Sequence, residues 1–360
     1  MYQINNLNPG RGGGINSRLE YIDVLRGITM ILVVYMHCEL YTLGIDTAEG
    51  TPLAAILYAL RMPMFFFISG FIAYKDISFW NFTNYLKRLS NKSKVQLIPT
   101  FVFFIAYYLF IRQIEFPGGY WFTLTLFIIF FIYFSVGLFS NLIKKELLIP
   151  ILICISLILI LLRSKILTIF PYNEYYCLGF VITYLGFFVF GLFFRKHEDL
   201  FWKFLNYRGT IAILLIIIVS LFYVLCKKDS IFHIEISKTL YRYILGIPII
   251  LVIFNYFYIH RKYWSNNSFI SRKLQFIGRR TLDLYMIHNF FLLPSIPKLH
   301  ELFQEYNNEA LIVIVCGSLT CVIVFLCLLI SSIIRSSTFL SYWLFGDKSG
   351  KRKLNISIRG

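Results

Sequence analysis

Charge is scarce in this chain. Only 15% of its 360 residues are Asp, Glu, Lys or Arg, while 58% are hydrophobic and the mean hydropathy is +0.70. A soluble protein of this length could not hide that much apolar surface, so an ordinary water-soluble fold is excluded. Acids are scarcer still, 18 against 35 bases, for a net charge of +17. The basic residues sit in short segments between apolar runs, with no basic–aromatic patch on a polar module, which argues against a nucleic-acid partner. Seven cysteines are present, none in a CxxC pair and odd in number, so no disulfide framework or zinc site is expected; they read as small core residues. The N-terminal MYQINNLNPGRGGGINSR lacks the short apolar core and small-residue cleavage site of a signal peptide, so the first apolar stretch is expected to stay in place. Internal repeats and low-complexity tracts are missing too.

What the chain does have is long apolar runs. Ten are long enough to cross a bilayer: 21–43, 52–74, 95–111, 120–140, 147–162, 176–194, 209–226, 239–259, 281–297 and 310–334. The fifth is near the short limit. Against this map, 26 of the 35 Lys and Arg residues fall on one side and 8 on the other, with Arg61 inside a span. That bias places both termini in the cytoplasm. The expected fold is an all-α, polytopic integral membrane bundle of about ten transmembrane helices. A disordered cytoplasmic N-terminus (1–17) would precede the membrane domain (18–335), and a basic cytoplasmic tail (336–360) would follow it.

Chemistry in such a chain must come from the few polar groups placed within the apolar runs. In YIDVLRGITMILVVYMH, Arg26 and His37 are eleven residues apart, close to three helical turns, so they share a face about 16 Å apart along the axis. With Arg26 at one interface, His37 lies near mid-depth, where a polar group is costly and is a functional candidate by default. Asp23 is three residues before Arg26 and can pair with it across one turn. His37 titrates nearest neutral pH and suits a general base, with Arg26 binding an anion at the cytoplasmic mouth. Taken singly, Arg26 equally fits a positive-inside anchor and His37 a helix–helix hydrogen bond.

Four further segments carry candidates. Arg61, in LRMPMFFFISGF, lies about 21 Å by helix rise from Lys75 and needs an anion or water unless it snorkels outward. Pro63 would free backbone carbonyls nearby. In FIGRRTLDLYMIHNFF, Thr281, Tyr285 and His288 share a face, and His288 lies about 12 Å inside the interface marked by Arg279 and Arg280. Two histidines at similar depth suggest an inward polar site; no carboxylate or thiol completes a tetrahedral metal set, so no metal is expected. Lys87, Arg88, Lys92 and Lys94 could hold the phosphates of a nucleotide-like donor, or could simply obey the positive-inside bias. On the opposite side, Glu115, Tyr120 and Trp121 in EFPGGYWFTLTLF could meet a sugar, or form an interfacial aromatic belt.

Together these motifs resemble the type-3 membrane acyltransferase family, which O-acylates bacterial surface polysaccharides. YIDVLRGITMILVVYMH, RMPMFFFISGF, GGYWFTLTLF and IGRRTLDLYMIH match in order, over about Arg18 to Arg335. The resemblance implies a ten-helix bundle in the bacterial inner membrane. It would move an acyl group, acetyl above all, from cytoplasmic acyl-CoA to a hydroxyl of a saccharide or lipid-linked glycan, with acyl-CoA as co-substrate and no bound cofactor. Arg26 and His37 match the essential pair. Many members carry Arg-x-x-Arg before a proline at the third span; this chain has Lys92, Lys94 and Gln96 before Pro99. Some relatives carry an extracytoplasmic esterase-like domain, and none is expected here. In this reading His37 is the base, Arg61, Tyr285 and His288 are candidate donors to the oxyanion, and Arg26 and the nearby lysines hold the donor phosphates. The competing functions are a transporter of an anionic solute or acylated saccharide, and a structural subunit whose polar groups only join helices.

Overall fold

The computed structural model describes residues 19–42, 52–111, 118–170, 177–207, 209–226, 237–265, 268–292 and 309–346. The described residues are helical throughout, with no strand among them. α1 (Glu20–His37), α2 (Pro52–Ala73), α3 (Phe82–Lys92), α4 (Ile98–Ile111), α5 (Trp121–Leu142), α6 (Leu148–Leu161), α7 (Arg163–Ile169) and α8 (Leu178–Lys196) form the first half. α9 (Glu198–Leu205), α10 (Thr210–Cys226), α11 (Lys238–Ile259), α12 (Arg261–Ser265), α13 (Phe269–Arg279), α14 (Thr281–Ile287), α15 (Glu309–Ser336) and α16 (Thr338–Phe345) complete it.

Among the described residues seven helices are long and apolar enough to cross a membrane, and up to nine if each of two sharply bent pairs, α6 with α7 and α9 with α10, counts as one span. The fifth expected span is therefore a bent pair: its single run is too short to cross straight. The expected span over 281–297 does not appear as one helix within the described residues. α14 ends at Ile287 and tightens into a 3₁₀ turn over His288–Phe291. Residues 1–18 and 347–360 lie outside the described part, so the two expected terminal segments do as well.

Glycines set the closest helix approaches, as is usual where lipid gives helices no hydrophobic reason to associate. α1 crosses α13 at Gly27 and Gly278; a Cβ on Gly278 would overlap the carbonyl oxygen of Asp23, and one on Gly27 that of Leu274. α2 meets α8 in the same way through Gly70 and Gly191. Between these seams lies an aromatic core that includes Phe66, Phe67, Phe71, Phe187, Phe188, Phe194 and Phe254. Its rings meet edge-on in several pairs, such as Phe67 with Phe254 at 5.1 Å.

A buried ionic knot anchors α14. Asp283, fully buried, accepts from Ser331 Oγ at 2.5 Å, Arg335 Nε at 2.6 Å and Arg335 Nη2 at 2.9 Å. Arg280 donates to Ser332 Oγ at 2.6 Å on the same face of α15. These bonds put the end of α15 beside the start of α14. The start of α1 is there too, since Gly278 packs on Asp23. The first and last spans thus have their outer ends at one end of the bundle.

Two substitutions test this scaffold by thermal unfolding in detergent. Gly278→Val places a side chain where backbone stands and is expected to cost about 3 kcal/mol, the upper end of overpacking. Asp283→Ala leaves the Arg335 guanidinium without its carboxylate and is expected to cost about 3 kcal/mol. An unchanged midpoint in either would show that the seam or the knot carries no weight.

Candidate active site

α1 presents Arg26, Met30, Val33 and His37 on one face, because these positions recur at helical spacing. The first three line a cavity of about 310 Å³. His37 stands one turn beyond Val33, half-buried, at the end of the α-helix. The chain then widens into a π-turn over Cys38–Thr42, a geometry frequent at functional sites. A second π-turn, Ser93–Leu97, joins α3 to α4 and brings Val95 and the buried Gln96 to the cavity wall.

Two rungs connect α1 to the next polar element. Arg26 Nη2 donates to Thr281 Oγ1 at 2.9 Å. At the far end His37 Nδ1 lies 2.8 Å from His288 Nε2, with the two rings within 6° of parallel. His288 is fully buried, and its Nδ1 lies 3.0 Å from the Leu284 carbonyl and 2.9 Å from that of Tyr285. A carbonyl only accepts, so His288 Nδ1 carries the hydrogen. With both rings neutral, His288 Nε2 must then be the acceptor and His37 Nδ1 the donor. The remaining nitrogen of His37, Nε2, is left with a free lone pair.

Tyr285 lines the cavity, but its hydroxyl is engaged elsewhere. It donates to the Gly119 carbonyl at 2.7 Å and accepts from the Phe122 N–H at 3.0 Å. Its phenol therefore holds the Gly119–Phe122 turn in place, and its proton is not free to meet an oxyanion. His288 is committed likewise, through both ring nitrogens. Of the three proposed oxyanion donors only Arg61 keeps unengaged N–H groups: its half-buried guanidinium has a buried Nη1 with no hydrogen-bond partner among the described residues.

The cavity's polar mouth is cationic. Arg26, Lys75, Arg88 and Lys92 all line it. Lys92 Nζ sits 3.6 Å from the Phe130 ring centroid and Arg88 lies 5.0 Å from that of Phe79. Lys87 and Lys94 are exposed and stand outside the lining: Lys87 points away from the α3 face that carries Arg88 and Lys92, and Lys94 lies in the π-turn that follows. Beyond the mouth the walls are apolar, including Met30, Val33, Phe65, Ile68 and Leu126. Asp23 is buried, with its Oδ2 3.5 Å from Arg279 Nε.

On the opposite side Trp121 is half-buried and stacks on Phe180 at 4.0 Å. Tyr120 is fully buried, with its hydroxyl donating to the Met286 carbonyl at 3.2 Å. It is a core residue, with no ring face at the surface for either a sugar or an interfacial belt. Glu115 lies outside the described residues.

Some polar groups here were not among the sequence candidates. Lys75 and Gln96 line the cavity. Glu39, fully buried two residues after His37, accepts from Tyr35 Oη at 3.2 Å, while its Oε2 has no hydrogen-bond partner among the described residues. Its signal was legible, an acid inside an apolar run. Asn289 is also buried, and nothing marked it in advance.

Residues 19–330 match a family described as an acyltransferase domain. No curated protein and no solved structure matched the chain. The matched region contains both histidines, the cationic mouth and the cavity walls, so the likeness extends to the whole helical body. The chain belongs to the type-3 acyltransferase family and is a multi-pass membrane enzyme that transfers acyl groups other than aminoacyl groups.

Proposed function

We propose that this enzyme moves an acyl group, acetyl or a similarly short chain, from cytoplasmic acyl-CoA to a hydroxyl of a cell-surface or exported saccharide, with His37 as general base. It does so in a bacterial inner membrane. The observation that carries the reading is the His37–His288 hydrogen bond. It sets the tautomer that leaves His37 Nε2 able to accept a proton.

The donor enters at the cationic mouth. Its phosphates meet Arg26, Lys75, Arg88 and Lys92, and its pantetheine arm occupies the apolar cavity. About 310 Å³ suits such an arm and excludes the bulky nucleotide, which stays outside among the cations. The acyl carbonyl then reaches the end of α1 near His37. His37 Nε2 takes the proton of the saccharide hydroxyl as its oxygen attacks the thioester carbonyl. The tetrahedral intermediate expels the CoA sulfur, which receives that proton from His37, giving ester and thiol. Throughout, His288 accepts from His37 Nδ1–H, holding the ring and stabilising the transient imidazolium. It is a positioning residue, since its nitrogens face His37 and the backbone.

The test uses purified wild type and His37→Ala, shown to unfold at the same temperature, with labelled acetyl-CoA and a saccharide acceptor. Label is expected to enter the saccharide with wild type and to fall by ~10²–10⁴-fold in the variant. Equal transfer by both would remove His37 from the chemistry. No transfer by either, with solute uptake into vesicles, would favour a transporter.

His288 is tested separately. His288→Phe is expected to lower turnover by ~10²-fold, while His288→Gln, whose carboxamide still accepts from Nδ1–H, retains more. Equal losses in the two variants, matched by equal losses in melting temperature, would make His288 a packing residue only.

A further inference from the structure

Away from the cavity mouth, two arginines come together, and among the described residues neither forms an ion pair with an acid. Arg61 lies on α2 just before Pro63, and Arg242 lies one turn into α11. Both are half-buried. Arg61 Nη1 and Arg242 Nε are buried and have no hydrogen-bond partner among the described residues. Their charges are close enough to oppose each other. Glu39 is near enough for its charge to act on Arg61, yet it forms no ion pair with it.

The surroundings are aromatic. The Arg242 guanidinium sits 4.0 Å from the ring centroid of Tyr58 and 5.3 Å from that of Tyr184. Trp121 continues the group, nearly parallel to Tyr184 at 5.6 Å. Ring faces soften the burial of a cation but leave its N–H groups unsatisfied. Two like charges withdrawn from water beside free N–H groups describe a site waiting for an anion.

Its position is informative. Along α2, Arg61 stands about 18 Å by helix rise from Ala73, which lines the cavity at its mouth end. It also lies near enough to His37 for its charge to act on that ring. An anion held there would sit beside the base, on the side away from the donor's phosphates.

The geometry points to Arg61 and Arg242 as an oxyanion-binding site that holds an acidic group of the saccharide acceptor, a sugar carboxylate or a phosphate linkage. This rests on the acyl-transfer reading for its purpose, but the binding itself does not depend on catalysis. Carboxylate and phosphate share the bidentate chemistry that a guanidinium recognises.

The experiment measures binding to the full-length protein in detergent by titration calorimetry. The probes are a glucuronic-acid tetrasaccharide, a glucose tetrasaccharide and inorganic pyrophosphate, with CoA as a control for the other end. The acidic tetrasaccharide or pyrophosphate is expected to bind wild type at least tenfold tighter than the neutral sugar. Arg242→Gln should weaken that anion by about tenfold or more, one lost charge-assisted hydrogen bond, and Arg242→Lys by less. CoA affinity should not change in either, which also reports that they are folded. Arg61→Gln provides a second, independent variant. Preference for the tetrasaccharide identifies a carboxylate, and preference for pyrophosphate a phosphate linkage. The proposal is overturned if neither anion binds more tightly than the neutral sugar, or if both glutamine variants bind it like wild type. Should acyl transfer remain dependent on His37 in that case, only the anion site is lost. Anion binding that depends on these arginines without any acyl transfer would instead discard the transfer reading and keep the site.

Discussion

A hydrogen bond between two imidazoles, made inside the bundle, organises the rest of this structure. His37 ends one helix and His288 begins a 3₁₀ turn, 251 residues apart in sequence, yet their facing nitrogens are 2.8 Å apart. The bond has a direction only because two backbone carbonyls already claim the other nitrogen of His288. Those carbonyls belong to the last turn of α14, so helix geometry itself assigns the tautomer of a side chain on another helix. In a setting with little water, a polar group must find its partner in the protein, and each satisfied group restricts its neighbour.

The same economy holds α14 in place. This element is only seven residues long, too short to stand alone in the bilayer. Arg26 engages Thr281, Arg335 and Ser331 engage Asp283, and the Gly119–Phe122 turn engages Tyr285. Every second or fourth residue of α14 is thus tied to a different element. The arrangement gives the candidate site two unlike ends. Cations and an apolar cavity lie on one, and two arginines among aromatic rings lie on the other.

Much of this was legible from residue spacing. Arg26 and His37 share a face because eleven residues make three turns, and Thr281, Tyr285 and His288 share one for the same reason. Periodicity is local and survives folding, so both stripes appear where expected. Spacing is blind to which partner a group finds. Tyr285 looked like a free donor and is bound to a turn that lies far away in sequence; Tyr120 looked superficial and is fully buried. Of Lys87, Arg88 and Lys92, all on α3, the face of the helix decides that Arg88 and Lys92 reach the cavity and Lys87 does not. Arg242 did not stand out in the sequence, because nothing in its own segment reveals Arg61 on a neighbouring helix.

The amino-acid order alone therefore determined a helical membrane protein, its family and the two histidine-bearing stripes. The helical membrane class and the stripes follow from composition and from spacing within single segments, the family from the order of its motifs, and all of these carry through to any packing of the helices. Tertiary structure alone decided how many spans run straight, which nitrogen of His37 is free, and which cations face the cavity. Those depend on contacts between segments remote in the chain, where a hydrogen-bond partner or a glycine-thin crossing is supplied by a helix that the local pattern does not see.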